Sequence, residues 1–359
     1  MRAAVLSAPG ETKLDVRDDV ETVDVGPGLV RVKIHATGVC HSDLSAMRGI
    51  LPQPSPLVPG HEGAGEVLEV GEGVTSVAPG DHVIICWVPP CGECRYCIGG
   101  QPNLCMTGTM DSFINARFTV GGTPYFGMAG TGTFAEEIVV LAAAAQKIAS
   151  DVPWDIASLI GCGVTTGVGS AINTAKVVPG SSVVVFGAGG VGISVIQGAR
   201  IAGAAELVAV DMVPQKLEWA KQFGASHAVT PDDLPALSAD LTGGEGFDYA
   251  FEVIGKSATI RAAWDNTRRG GTTVVVGAGA ADDMVQLSAL ELFATEKRLL
   301  GTIYGSADVR RDYDRLIRLW RTGRLDLEGM ITRRIGLDDI NDALDAMLAG
   351  EVIRQVINF

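Results

Sequence analysis

The chain has 359 residues, enough for about two domains, each with its own core. Its formal charge of -14 speaks against nucleic acid or an anionic membrane surface as a partner, and 47% apolar residues with only 6% aromatics suit an α/β interior of Ala, Val, Leu and Ile. The chain reaches Pro9-Gly10 before any apolar run of useful length for a secretory leader, so a cytoplasmic protein is expected, in which seven cysteines read as metal ligands or catalytic groups before disulfides.

Residues 1–85 read as β structure. Residues 29–34 alternate apolar and polar, residues 63–70 follow a Pro59-Gly60 turn, and Gly71-Glu72-Gly73 and Pro79-Gly80-Asp81 separate short runs, so a compact, partly open barrel is expected. Within it sit two polar clusters, Cys40-His41-Ser42-Asp43 and Gly60-His61-Glu62. Cys91, Cys94 and Cys97 then fall three apart, with Cys105 eight residues on. Four thiolates at that spacing surround one tetrahedral zinc ion and leave nothing open to solvent, which is a structural site. Iron–sulfur ligation fits less well, because Met106 and not a proline follows the last cysteine. Cys86 is left over and reads as a small core hydrophobe.

Cys162, between Gly161 and Gly163, precedes a small-residue helix. With Cys40 and His61 it makes a Cys2His set, three protein ligands that leave a fourth position for water or substrate. Residues 156–175 and 177–199 are long and uncharged, but Gly, Ser, Thr or Asn breaks both, so a buried interior is expected rather than a membrane span.

The stretch 183–211 organises the second half. An apolar β-branched run is followed by Gly187-Ala188-Gly189-Gly190-Val191-Gly192, a helix-like segment, and a second apolar run that ends at Asp211. This describes a strand–helix–strand unit that binds a dinucleotide: Gly187 makes the tight turn, Gly189 admits a pyrophosphate, and Gly192 lets the helix lie close on the strand. Asp211 would accept both ribose hydroxyls and repel a 2′-phosphate, which favours NAD over NADP. Further alternation follows, with helices expected over 214–223, 257–268, 312–321 and 337–348, and strands over 247–253, 271–277 and 299–304. The expected strand order is 3-2-1-4-5-6.

Taken in order, the Cys-His-Ser-Asp and Gly-His-Glu clusters, the four-cysteine lobe, the Gly-Cys-Gly motif, the nucleotide turn and the closing Ile353-Arg354 resemble the zinc-dependent medium-chain alcohol dehydrogenases over nearly the whole chain. The resemblance implies a GroES-like, partly open barrel domain at 1–163 and 304–359, with a structural zinc lobe at about 91–105. It also implies a Rossmann domain at 164–303, a doubly wound parallel sheet, and an active site in the cleft between the domains. It implies two zinc ions, one catalytic on Cys40, His61 and Cys162 and one structural on Cys91, Cys94, Cys97 and Cys105. Asp43 would hold the other nitrogen of His61, and Glu62 would lie behind the metal and help exchange its ligands. Ser42 would touch the zinc-bound oxygen and start the proton's exit. Thr166 and Val191 match positions that support the nicotinamide, Lys216 a ribose contact, and His41 and Arg354 pyrophosphate contacts. Leu51 and Trp87 match positions that line the substrate pocket. The family's usual proton-relay histidine is replaced by Ser45, which cannot titrate near neutrality.

The implied reaction is hydride transfer between an alcohol and NAD, with the alcohol oxygen on the catalytic zinc. Residues 106–132 resemble an insertion found in dimeric members, so a homodimer is expected, with a tetramer as the alternative. Oxidation of the adduct of formaldehyde with a small thiol is a second reading of the same motifs. A redox-inactive protein that keeps zinc and NAD for structure or sensing is a third.

Overall fold

A computed structural model describes all 359 residues, and the chain divides into two compact units, Met1–Gly163 with Asp308–Gly323 and Leu327–Phe359, and Val164–Ala307 with Arg324–Asp326. The chain re-enters the first unit at Asp308 and lends three residues, Arg324–Asp326, back to the second.

In the first unit, strand β1 (Leu29–Val39) alternates buried and open positions, burying Val30, Val32 and Ile34 against Val67, Val83 and Ile85. It ends at Cys40, which caps helix α1 (His41–Met47). Strand β2 (Glu62–Val70) starts directly after His61 and pairs antiparallel with β1, Gly38 opposite Glu62; strand β3 (His82–Ile85) pairs with the far side of β2. Around them the sheet order is 145–147, β3, β2, β1, then the closing strand Arg354–Asn358 and the strand Ile331–Ile335. Residues 106–132 fold as the helix Met106–Ile114 and the hairpin of Phe118–Val120 with Thr123–Gly127.

Helix α2 (Trp154–Leu159) continues into a π-helical turn, Ile160–Val164. Cys162 therefore sits inside a helix and not ahead of one, because the wider turn is accommodated by glycines on both sides of it. By length and apolarity the run Trp154–Thr174 could cross a membrane, yet 83% of its window is buried inside the protein.

The second unit is a six-stranded, fully parallel sheet. Its strands are β4 (Ser182–Phe186), β5 (Glu206–Val210), β6 (His227–Val229), β7 (Phe247–Glu252), β8 (Thr267–Val275) and β9 (Arg298–Gly301), in spatial order β6-β5-β4-β7-β8-β9. That is the expected 3-2-1-4-5-6 order. Val183, Val184 and Val185 are all fully buried, as a parallel strand covered on both faces requires. Helix α3 (Gly190–Ala202) links β4 to β5. Several boundaries differ from the pattern, among them a strand that spans Thr267–Val275 rather than 271–277 and a helix that begins at Val309 rather than at 312. The helix expected over 257–268 stops at Asp265 because β8 begins at Thr267, through a register shift against β7. The sixth strand ends at Gly301, and Tyr304, expected within it, opens a separate 3-10 turn with a left-handed backbone at φ 56°. The helix expected from 337 opens as a 3-10 turn and becomes α-helical at Ile340.

Candidate active site and metal centres

The antiparallel pairing of β1 and β2 brings Cys40, which follows one strand, beside His61, which precedes the other. The turn at Ile160–Val164 adds Cys162, so that ligand atoms of Cys40, His61, Glu62 and Cys162 all lie within 4.8 Å of one another, and all four residues are buried. Asp43, fully buried on α1, organises this group with one carboxylate. Oδ2 accepts from the Cys40 amide at 2.9 Å; Oδ1 accepts from the Gly60 amide at 3.1 Å and from His61 Nδ1 at 3.0 Å. With Nδ1 so occupied, His61 presents Nε2, which is buried and has no protein partner.

The electrostatics fit a cation. Cys40 is held far below an ordinary thiol by the hydrogen bond from Cys162, against the cost of burial, while Cys162 is pushed far above it by the same contact and by burial. Two sulfurs that must share one proton become two thiolates only when a positive ion replaces it. Burial drives His61 down, but Asp43 and Cys40 together outweigh it and the net shift is upward. Burial drives the Glu62 carboxyl up to about 7, against the pull of Arg354.

Glu62 Oε1 accepts from the Gly163 amide at 3.1 Å and lies 3.5 Å from Arg354 Nη2, while Oε2 has no partner. Arg354, expected at the pyrophosphate, is thus buried beside Glu62 and donates from Nη1 to the Val39 carbonyl at 3.4 Å. A Cβ on Gly163 would collide with its guanidinium, which explains the second glycine of the Gly-Cys-Gly motif. Trp87 stands edge-on to His61, ring centres 6.4 Å apart at 87°. Ser42 Oγ lies 3.7 Å from Cys40 Sγ, and His41 is exposed at the start of α1. Ser45 and Leu51 are half-buried; the Ser45 carbonyl accepts from the Leu51 amide, and Leu51 packs against the edge of the core cluster that includes Leu44 and Met47.

Cys91, Cys94, Cys97 and Cys105 form the second cluster. Their sulfurs are 3.9 Å apart for Cys91 and Cys97 and 4.0 Å for Cys94 and Cys105. A tetrahedron with Zn–S bonds of about 2.3 Å has edges of roughly 3.8 Å, so four thiolates here need almost no movement to hold the ion. Backbone amides point at the sulfurs: Cys94 N to Cys91 Sγ at 3.3 Å, Cys97 N to Cys94 Sγ at 3.5 Å, and Cys91 N to Cys105 Sγ at 3.3 Å. Such amides, first that of Glu93, bring Cys91 down to about 6. Cys86 stays outside both clusters, fully buried, its thiol donating to the Val88 carbonyl at 3.1 Å.

In the second unit, Gly187 has φ +99°, which a side chain resists, and a Cβ on Gly192 would collide with the Gly187 carbonyl. A Cβ on Gly189 would meet nothing within 4 Å, so space stands open over the backbone where a phosphate would approach. Gly190 and Val191 form the half-buried first turn of α3. Asp211 Oδ2 accepts from the Ala188 amide at 2.8 Å and Oδ1 from the Val213 amide at 3.0 Å, which holds the carboxylate at the end of β5 beside the glycine turn. Lys216 is half-buried in the helix Pro214–Gln222, and Thr166 Oγ1 is buried with no hydrogen-bond partner.

Three residues placed to hold a metal with one position to spare, in a chain that also carries a dinucleotide turn, fit a zinc-dependent oxidoreductase acting on CH–OH donors. Comparison with known proteins carries this further. Residues 26–150 match the alcohol dehydrogenase GroES-like domain and residues 190–321 the zinc-binding dehydrogenase family. The chain is 39% identical over 373 aligned positions to an S-(hydroxymethyl)glutathione dehydrogenase of Escherichia coli O1:K1, covering 100% of this chain and 99% of the relative. Among solved structures it is similar to an alcohol dehydrogenase zinc-binding domain protein from Burkholderia ambifaria (TM-score 0.93, 31% identity, covering 100% and 98%). It is also similar to benzyl alcohol dehydrogenase from Acinetobacter calcoaceticus (TM-score 0.92, 30% identity, covering 100% and 99%). The chain belongs to the zinc-dependent medium-chain alcohol dehydrogenase family.

Proposed function

We propose that the protein oxidises a primary alcohol with NAD and runs the reverse reduction of the aldehyde. The observation that carries this is the buried convergence of Cys40, His61 and Cys162 with His61 Nε2 left unpartnered. When bound, zinc supplies a Lewis acid with a vacant position and NAD a hydride acceptor. The chain's own residues do the rest. Asp43 keeps Nδ1 of His61 protonated and its ring in place. Ser42, beside Cys40, takes the hydroxyl proton and passes it toward solvent, with Ser45 in the following turn relaying through water. Glu62 steadies the backbone after Cys162 and keeps one oxygen free among the ligands. Trp87 narrows the space beside His61, and Leu51 adds an apolar wall. Asp211 selects NAD.

The relative named S-(hydroxymethyl)glutathione dehydrogenase supports a second reading, oxidation of a hydroxymethyl-thiol adduct. The test for both is NADH formation by the zinc-loaded protein with ethanol, benzyl alcohol, and formaldehyde with and without glutathione. Turnover on an alcohol alone supports the first reading, and turnover on formaldehyde only with thiol supports the second. No turnover on any of them would leave a redox-inactive binding protein.

We further propose a homodimer in the cytoplasm. Strand β9 is an open sheet edge, and Leu290, Phe293, Leu299 and Ile303 around it are exposed apolar residues that a second copy would cover. All seven cysteines are unbridged, which suits a reducing compartment. Light scattering on the purified protein gives the mass directly.

A further inference from the structure

One cluster of aromatic side chains takes no part in either metal centre. The Trp154 indole stacks on His35 (ring centres 4.6 Å apart, 12° between planes) and lies tilted against His82 (4.1 Å, 31°). His35 belongs to β1 and His82 to β3, two strands that flank β2 and are therefore roughly 9–10 Å apart. The indole fills that gap between the two imidazoles. His35 Nε2 and His82 Nδ1 are buried without hydrogen-bond partners, and His35 Nε2 faces the Glu66 carboxylate at 3.9 Å.

Trp154 is the first residue of α2, the helix that runs on into the turn carrying Cys162. That helix lies on β1, β2 and β3. β1 leads into Cys40 and β2 leads out of His61, so the helix rests on the strands that deliver the other two ligands. Its ligand end is seated by a bare backbone: a Cβ on Gly161 would stand only 3.2 Å from the Ile85 carbonyl and 3.4 Å from Glu62 Cα. Its other end is seated by the stack. Eight helical residues from Trp154 to Cys162 cover roughly 12 Å, and five strand residues from His35 to Cys40 roughly 16 Å. Helix and strand thus both run from this contact to the ligand cluster, where the Cys40 and Cys162 sulfurs lie within 4.8 Å of each other.

We propose that Trp154, gripped between His35 and His82, is a positioning residue for Cys162, setting the register of the helix on the sheet and so the place of the thiolate relative to Cys40 and His61. This rests on the reading of those three residues as zinc ligands.

The test is zinc release from the full-length, zinc-loaded protein to a chromogenic chelator. Wild type should release two ions in separable phases, and the phase that Cys162→Ser lacks belongs to the Cys40 cluster. Trp154→Ala should speed that phase on the order of tenfold or more, the range for groups that orient metal ligands, and leave the four-cysteine phase unchanged. Trp154→Phe keeps a flat ring and should restore the wild-type rate; His82→Ala should fall between. Cobalt exchanged into the Cys40 cluster should show shifted d–d bands in Trp154→Ala and His82→Ala only. Wild-type release and unshifted bands in Trp154→Ala would overturn the proposal, as would equal acceleration of both phases. If Trp154→Ala does not fold, an unchanged rate in His82→Ala overturns it equally. A wild type that releases only the four-cysteine zinc would instead overturn the ligand assignment itself.

Discussion

One carboxylate, that of Asp43, holds two metal-binding residues at once: it accepts from the backbone amide of Cys40 at 2.9 Å and from Nδ1 of His61 at 3.0 Å. Asp43→Asn keeps the shape but turns an amide N–H toward a group that is itself a donor, so at least one of these bonds is lost. We expect zinc affinity at this cluster to fall about 10- to 100-fold, as for other groups behind a metal-bound histidine. Zinc in the four-cysteine lobe should be unaffected. Competitive chelator titration measures both, and equal weakening of the two sites would show that Asp43 acts on the fold and not on the ligands.

The Glu62–Arg354 pair is buried on both sides, 0% and 4% exposed, which makes the loss of one partner costly. Arg354→Met strands a carboxylate and should destabilise the protein by about 3–5 kcal/mol, read by urea denaturation. Adding Glu62→Gln to it should recover much of that loss, because the stranded charge is gone. A double variant no more stable than Arg354→Met would mean that Arg354 matters for packing and not for charge. The expected pyrophosphate contact is separable by NAD affinity: it should fall in Arg354→Met and hold in Glu62→Gln.

Chemistry that depends on close spacing could be read directly from the chain. Cys91, Cys94 and Cys97 recur at every third position and dictate a ligand shell almost by themselves; Gly187, Gly189 and Gly192 lie between runs whose apolarity already describes strand and helix. Asp43 and Glu62 stood out only as members of two polar clusters, and their roles entered through family resemblance. Groups that meet only through the tertiary fold stayed hidden. His35 and Trp154 are 119 positions apart and each reads as ordinary core; the π-helical turn at Cys162 leaves no compositional mark beyond its two glycines. The neighbour of Arg354 stayed hidden too: its place beside Glu62 follows from Arg354–Asn358 pairing with β1, a contact no short-range pattern encodes, and its expected pyrophosphate contact is left to the NAD-affinity test above.

His35 carries a pH dependence of its own. Burial holds its imidazole below the ordinary value of 6.5; Lys33 and His82 add to the shift and Glu66 opposes it. A histidine with a lowered folded value is charged more readily when unfolded, so its contribution favours the fold at neutral pH and is lost as pH falls through 6.5 and below. The urea midpoint of wild type should therefore drop more between pH 7 and pH 5.5 than that of His35→Gln. Equal slopes for the two proteins would remove His35 from the acid sensitivity.

Asp211 is fixed by two amides before any ligand arrives, Ala188 N at 2.8 Å and Val213 N at 3.0 Å. Both oxygens keep lone pairs for a ribose diol, and the anion cannot turn away from a 2′-phosphate without breaking bonds on each side. Hydrogen bonds to a charged group contribute about 1.5–3 kcal/mol, which corresponds to roughly 10- to 150-fold in affinity. Asp211→Ala should lose about that much in kcat/KM for NAD, chiefly through KM, while activity with NADP rises because the repulsion is gone. Metal content and kcat at saturating NAD should stay near wild type, since Asp211 belongs to the glycine turn and to neither cysteine cluster. An unaltered NAD to NADP preference would assign cofactor choice to other residues and leave Asp211 as a brace for the turn between β4 and α3.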